Sequence, residues 1–155
     1  MKNEELLKMI ETHDNPNVRK KYDDMKKQME LYSKDEEPIV MDLNNFGLKV
    51  DSIWDLVNNK PHPVFKNNFT GDYSVAYPIL VKHLDYDYLP KTKEGLIRAL
   101  TEKQAKNVAT EKILDLFYKE SDRNLKWVMA NALRTLMSWN SRQKHPEIAK
   151  VLKGL

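Results

Sequence analysis

The residues best placed to do chemistry together are the closely spaced carboxylates. Asp85 and Asp87 stand two apart in "LDYDYLP", with Tyr86 between them and Tyr88 after. Two carboxylates can divide acid–base work when their surroundings push their pKa values apart. In a turn joining two helices such residues more simply cap and solvate the backbone, and this pair reads that way. Asp51 and Asp55 flank Trp54, but Asp51 or Ser52 is needed as a helix cap. The histidines His13, His62, His83 and His145 are scattered and match no metal-ligand spacing such as HExxH. His83, on a helix flank, reads as a partly buried structural histidine. Cysteine is absent, which excludes disulfides, thiolate metal sites and a thiol nucleophile. The chain has only four glycines and no GxSxG, P-loop or GxGxxG. No catalytic constellation, metal site or cofactor motif is present, so a non-enzymatic role is expected.

Recognition chemistry is better represented. In "LKWVMANALRTLM", Leu125, Val128, Met129, Ala132, Leu133, Leu136 and Met137 follow helical spacing and form one apolar face. Trp127, Asn131, Arg134 and Ser138 line up on another face at i, i+4, i+7 and i+11. Shifting that stripe back by 33 residues lands on Glu94, Arg98 and Thr101. Tryptophan and arginine are over-represented at the energetic centres of interfaces. Glu94, Arg98, Trp127, Asn131 and Arg134 are therefore the candidate partner-binding residues. The competing reading wedges Trp127 between helices, with its indole N–H on a carbonyl.

The elements that must hold these residues are helical throughout. Asn3 can cap a short first helix with Leu6, Leu7 and Ile10 on one face, and "HDNPN" ends it. Asn15 caps a second helix, with Pro16 in its first turn. Val18, Tyr22, Met25, Met29 and Tyr32 form a narrow stripe along it, expected to pack on a neighbouring helix. Read alone, the stripe also suits a scaffold or oligomer, although about two heptads are short for a coiled coil. "SKDEEP" reads as a polar break. Pro38 then opens a separate helical segment that Gly47 closes with a left-handed cap. "VDSIWDLVNN" is a further short helix, and 58–72 an irregular connection rich in Asn and Pro. From Asp72 the pattern becomes regular: "DYSVAYPILVKHL", "KTKEGLIRALT", "KQAKNVATEKILDLFYKE" and the Trp127 helix follow in order. Ala76, Ile79, Leu80 and Leu84 should be buried, as should Val108, Ala109, Ile113, Leu116 and Phe117. "HPEIAKVLKGL" adds a terminal helix with Ile148, Val151 and Leu152 to cover the end.

Ile79-Leu80 recurs as Ile113-Leu114, a shift of 34, and Ala99-Leu100 as Ala132-Leu133, a shift of 33. A period near 33 with two helices per unit marks a helical solenoid, in which each unit buries its apolar face on the next. The fold class expected is all-α: a short right-handed solenoid of antiparallel helix pairs. Residues 1–155 are expected to form a single domain. In it, 1–71 are divergent helices, 72–139 two repeats and 140–155 a C-terminal cap.

Composition agrees with a folded chain. It has 155 residues, 41% of them hydrophobic and 32% charged, which suits a globular domain. No apolar run approaches the ~20 residues of a membrane span, and "MKNEELLKMIETHD" mixes acids into its apolar run, unlike a signal peptide. The expectation is a cytoplasmic protein with no membrane association, which leaves the "NFT" acceptor at Asn68 without meaning. Charge is uneven. Residues 91–155 carry 14 basic and 7 acidic side chains, whereas 35–90 carry 4 basic and 9 acidic. A basic end can attract acidic groups on a protein, or nucleic acid. Only 5 of the 26 basic residues are arginine, which argues against guanidinium recognition of phosphate and for weak nucleic-acid binding at most.

"YPILVKHLDYDY" and "EGLIRALTEKQAKNVATEKILDLFYKESDRNLKWVMANALRTL" resemble HEAT-like repeats of the armadillo/HEAT superfamily. The first helix of each unit carries the aliphatic pair, and the second carries a basic residue ahead of Ala-Leu, as at Arg98. Asn131 holds the matching position in the second copy, a departure that breaks a uniform inter-repeat ion-pair ladder. The resemblance implies that the second helices line a concave surface. It also implies a binding module for another protein, one with acidic groups at the contact, which this chain inhibits or neutralises as small bacterial immunity proteins do. The lysine and asparagine bias fits a bacterial or phage source. The alternative is a nucleic-acid-binding relative of HEAT-like DNA alkyl-base glycosylases, carried by the basic C-terminal region with Trp127, Trp139 and Arg134.

Overall fold

Helix boundaries follow from local chemistry in most places. The computed structural model describes residues 3–11, 15–60, 63–64 and 69–154. Among them the secondary structure is 74% helix with no strand, so the fold is all-α. Two compact units result, Met1–Asp35 and Glu36–Leu155.

The first unit holds α1 (Asn3–Glu11) and the start of α2 (Pro16–Phe46). Asn15 caps α2 as expected: its Oδ1 accepts the Asn17 N–H at 2.9 Å and Pro16 takes the first helical position. The apolar stripe expected to pack on a neighbour is covered only in part: Tyr22 and Tyr32 are half-buried. Val18, Met25 and Met29 are 37, 54 and 68% exposed, and Leu6 of α1 is exposed as well. The Leu7 and Ile10 side chains, like His13, His62 and Asn68, lie outside the described residues.

A second departure is at Pro38, where α2 runs through instead of restarting. An interior proline removes one hydrogen bond and costs roughly 3 kcal/mol. Ile39 and Leu43 follow it fully buried, and each such side chain returns about 1.5–3 kcal/mol. Packing thus outweighs the local signal. Gly47, at φ 107°, ends the helix as expected. Leu48 N–H reaches the Leu43 carbonyl at 3.0 Å and Gly47 N–H the Asn44 carbonyl at 3.1 Å, a Schellman closure.

The second unit continues with α3 (Trp54–Val57), α4 (Tyr77–His83), α5 (Pro90–Ala99), α6 (Lys106–Lys119), α7 (Arg123–Leu136), α8 (Trp139–Arg142) and α9 (Pro146–Leu152). Short 3-10 turns at Ser74–Ala76 and Lys103–Ala105 lead into α4 and α6. α4 packs on α5 and α6, α5 on α3 and α7, and α7 on α6 and α9. Burial recurs at a constant shift of 33: Ala76 with Ala109, Leu80 with Ile113, Leu84 with Phe117, Leu96 with Met129, Ala99 with Ala132 and Leu100 with Leu133. The Ile79-Leu80 and Ile113-Leu114 pairs are therefore offset by one, because Leu80 and Ile113 are the buried members. Val108, expected inside, is 41% exposed, one position ahead of the buried Ala109.

Candidate functional site

Rotation of α7 is fixed by its apolar face. Asp122 caps it, accepting the Leu125 N–H at 2.9 Å. Leu125, Val128, Met129, Ala132, Leu133 and Leu136 are at most 3% exposed. The mixed face is then turned outward: Trp127 is 39% exposed, Asn131 half-buried and Arg134 exposed. On α5, Thr92, Leu96, Ile97 and Ala99 are buried, leaving Glu94 and Arg98 partly exposed. Gly95 lies close against Ile53 and Trp54; a Cβ there would stand 2.9 Å from Ile53 Cγ2 and 3.1 Å from Trp54 Nε1.

The five candidate residues fall into two bonded pairs and one open aromatic. Arg98 Nε donates to Glu94 Oε2 at 3.0 Å, and Arg134 Nη2 donates to Asn131 Oδ1 at 2.7 Å. Asn124, which sequence reasoning did not single out, joins the two helices by donating from Nδ2 to Glu94 Oε1 at 2.8 Å. It lies one turn before Trp127 on the same face, so extending the stripe by three residues was the available signal. Burial pushes the Glu94 carboxyl up, but hydrogen bonds from Asn124 and Arg98 and the Arg98 charge outweigh it, so the net shift is downward. Trp127 borders a groove of about 820 Å³ with Glu120, Arg123, Asn124, Lys126 and Val151. The other two stripe positions are used locally. Thr101 Oγ1 donates to the Ile97 carbonyl at 2.8 Å, and Ser138 caps α8 by accepting the Ser141 N–H at 3.2 Å.

A second groove, of about 530 Å³, is lined by Asp72, Tyr77, Glu102, Lys103 and Thr135 among others. Tyr73 lines it too, and its hydroxyl donates to the Ala99 carbonyl at 2.7 Å. Burial, and then the Glu102 charge, pushes the Tyr73 hydroxyl well above the usual phenol range. Burial, then Glu102 and Asp72, moves Tyr77 the same way. The Trp127 groove thus carries two cations and one carboxylate, Glu120, while this one carries two carboxylates and one cation, Lys103.

His83 is more completely engaged than its sequence position suggested. Its Nε2 lies 2.6 Å from Asp42 Oδ2 and its Nδ1 2.7 Å from the Tyr88 hydroxyl, with the ring buried. With Nε2–H donating to the carboxylate, Nδ1 accepts from the phenol. Both ring nitrogens are then satisfied within the protein. Asp42 is 41 residues away, so no spacing motif could reveal the pair.

The carboxylate pairs separate. Asp85 pairs with Lys112 of α6, and Asp87 stands 4.0 Å from Lys93. Asp55 accepts the Asp51 and Ser52 N–H groups, while Ser52 Oγ accepts the Trp54 N–H at 3.2 Å, a reciprocal cap. Buried Glu36 accepts from Ser52 Oγ and the Ile53 N–H at 3.0 and 3.1 Å. Among the described residues, no three His, Cys, Asp or Glu side chains come together in a metal-holding group, and no helix is long and apolar enough to cross a membrane. Compared with known proteins, the chain matches no family model, no curated protein and no solved structure.

Proposed function

We propose that this chain is a non-catalytic binding module. It recognises another protein through the α5–α7 face and inhibits or neutralises it, in the manner of an immunity protein. The observation that carries the reading is Trp127. A large aromatic is left 39% exposed beside a groove on a helix whose other face is fully buried. Aromatic anchors with flanking cations are what interface centres require. Arg134 and the groove residues Arg123 and Lys126 give that surface a preference for acidic partner groups. Glu94 holds Asn124 and Arg98 in place before any partner arrives, which lowers the ordering cost of binding.

The solenoid reading belongs to this proposal. Burial recurring at 33 residues, α4 on α6, and α5 on α7 support two stacked helix pairs with α5 and α7 on one, concave side. α9, on α7, would cap the stack.

The test is comparative capture from the source cell with wild-type chain, Trp127→Ala and Arg134→Ala, read by mass spectrometry. A protein retained by wild type and lost by both variants, while their melting is unchanged, supports the reading. A partner retained equally by all three overturns it.

A nucleic-acid-binding role ranks second, supported by Arg123 and Lys126 at the groove. Arg98 counts against it, being tied to Glu94. Phosphate binding would show an affinity falling with salt at a slope of about −0.9 per neutralised phosphate. Weak binding that salt abolishes is expected; submicromolar duplex binding at physiological salt would reverse the ranking.

A further inference from the structure

Tyr77 is only 5% exposed, yet its hydroxyl has no hydrogen-bond partner among the described residues. Enclosed phenols ordinarily bond within the protein. Tyr73, which packs edge-on against it at 5.7 Å between ring centroids, does so through the Ala99 carbonyl. The Tyr77 hydroxyl is not sealed in either. Among the described residues, the one fully enclosed side-chain nitrogen or oxygen without a partner is Arg142 Nε. The Tyr77 hydroxyl therefore opens into the groove of about 530 Å³ that its side chain lines.

The charges around that hydroxyl choose the ligand. Asp72 and Glu102 line the groove from two different segments, and Lys103 offsets one of them, which leaves a single net negative charge. None of the three has an ion-pair partner among the described residues. Asp72 is held in place by accepting the Ser74 N–H at 2.7 Å. Glu102 is fixed through its backbone, which bonds to Leu100 and Ala105. Both carboxylates act on the two tyrosines, and with burial they keep each a neutral phenol. Two carboxylates and a phenol oxygen are acceptors, and the groups that only donate are ammonium and guanidinium. A bare metal ion fits less well. Hard cations take about six to eight oxygen ligands, and no three His, Cys, Asp or Glu gather among the described residues. The volume suits a small organic group, since such sites span roughly 300–1,000 Å³. We propose that the groove at Tyr77 binds an organic cation, an alkylguanidinium or alkylammonium, whose N–H groups reach Asp72, Glu102 and the Tyr77 oxygen. This does not rest on the partner-binding reading of α5 and α7.

The test is an amide-shift titration of the isotope-labelled full-length protein with ethylguanidinium and ethylammonium chlorides, against sodium chloride as the ionic control. Saturable shifts at Asp72, Tyr77 and Glu102, in the millimolar range, are expected with the organic cations. The neutral isostere ethylurea should give none. Glu102→Gln should weaken binding several-fold, and Lys103→Gln should tighten it. Tyr77→Phe removes only an unpartnered hydroxyl, so it should weaken binding and leave the melting transition in place. A free cation and the cationic side chain of a partner protein offer the same group, and a blocked pentapeptide with a central arginine separates them. Peptide binding no tighter than that of ethylguanidinium marks a small free ligand, and tighter binding marks a partner's side chain; both uphold the ligand class. Four results would overturn it: no saturable shift, an equal response to ethylurea, calcium chloride moving the same amides at lower concentration, or weaker binding in Lys103→Gln. A Tyr77→Phe variant that melts far below wild type would overturn it too, because the hydroxyl would then be holding the fold.

Discussion

Val128, Met129, Ala132 and Leu133 on α7 and Val18, Met25 and Met29 on α2 are both apolar series at helical spacing, yet the first is buried and the second open to water. The difference is the width of the apolar sector. On α7 it includes Leu125, Ala130 and Leu136 and wraps far enough for α5, α6 and α9 to close on it. On α2 the stripe is one side chain wide, hemmed by Lys20, Lys21, Asp23, Asp24, Lys26 and Lys27. Spacing alone tells which side of a helix is apolar. Width tells whether the chain itself can cover it.

Substitution should separate the two regions sharply. Leu133→Ala leaves a cavity at a fully buried site and should cost about 2–5 kcal/mol in urea unfolding. Met29→Ala, at a site 68% exposed, should stay within about 0.5 kcal/mol. Equal costs would mean that α2 is covered within the monomer.

Gly95→Ala sharpens the picture on the covered side. The added methyl would press on Ile53 at 2.9 Å, and overpacking costs about 1–3 kcal/mol. A helix-propensity gain of up to about 1 kcal/mol offsets part of it. Net destabilisation in thermal melts is expected; a stabilised variant would show that α3 yields without cost.

How much of this was legible in the sequence depends on how local each signal is. Asn15 with Pro16, and Gly47, are decided by neighbouring residues, and both lie where local rules put them. Both faces of α7 also follow from spacing, since its buried sector is continuous. Pro38 misled because its cost is local while the burial of Ile39 and Leu43 that outweighs it is tertiary. The Asn124–Glu94 bond, 30 residues apart, and the contacts of His83 with Asp42 and Tyr88 required the packing to be known.

A smaller effect tests the bonds that organise the α5–α7 face. The Glu94 carboxyl is held below its ordinary value of 4.5, so its stabilising contribution is complete above that value and fades as pH falls through the lower folded value. Glu94→Gln should therefore destabilise at pH 7, by no more than about 1 kcal/mol because the group is partly exposed. The gap to wild type should close on acidification below pH 4.5. A gap independent of pH would mean that the charge plays no part.

The central claim is that Trp127 is surface held ready for a partner and not core. Its most direct test is the thermal melt of Trp127→Ala beside Leu133→Ala. The account predicts that Trp127→Ala melts within a few degrees of wild type while Leu133→Ala falls by several times as much. The partner captured by wild type should then bind Trp127→Ala about thirtyfold more weakly, or ~2 kcal/mol. If Trp127→Ala melts as early as Leu133→Ala, the indole is part of the core and the binding face is not where it has been placed.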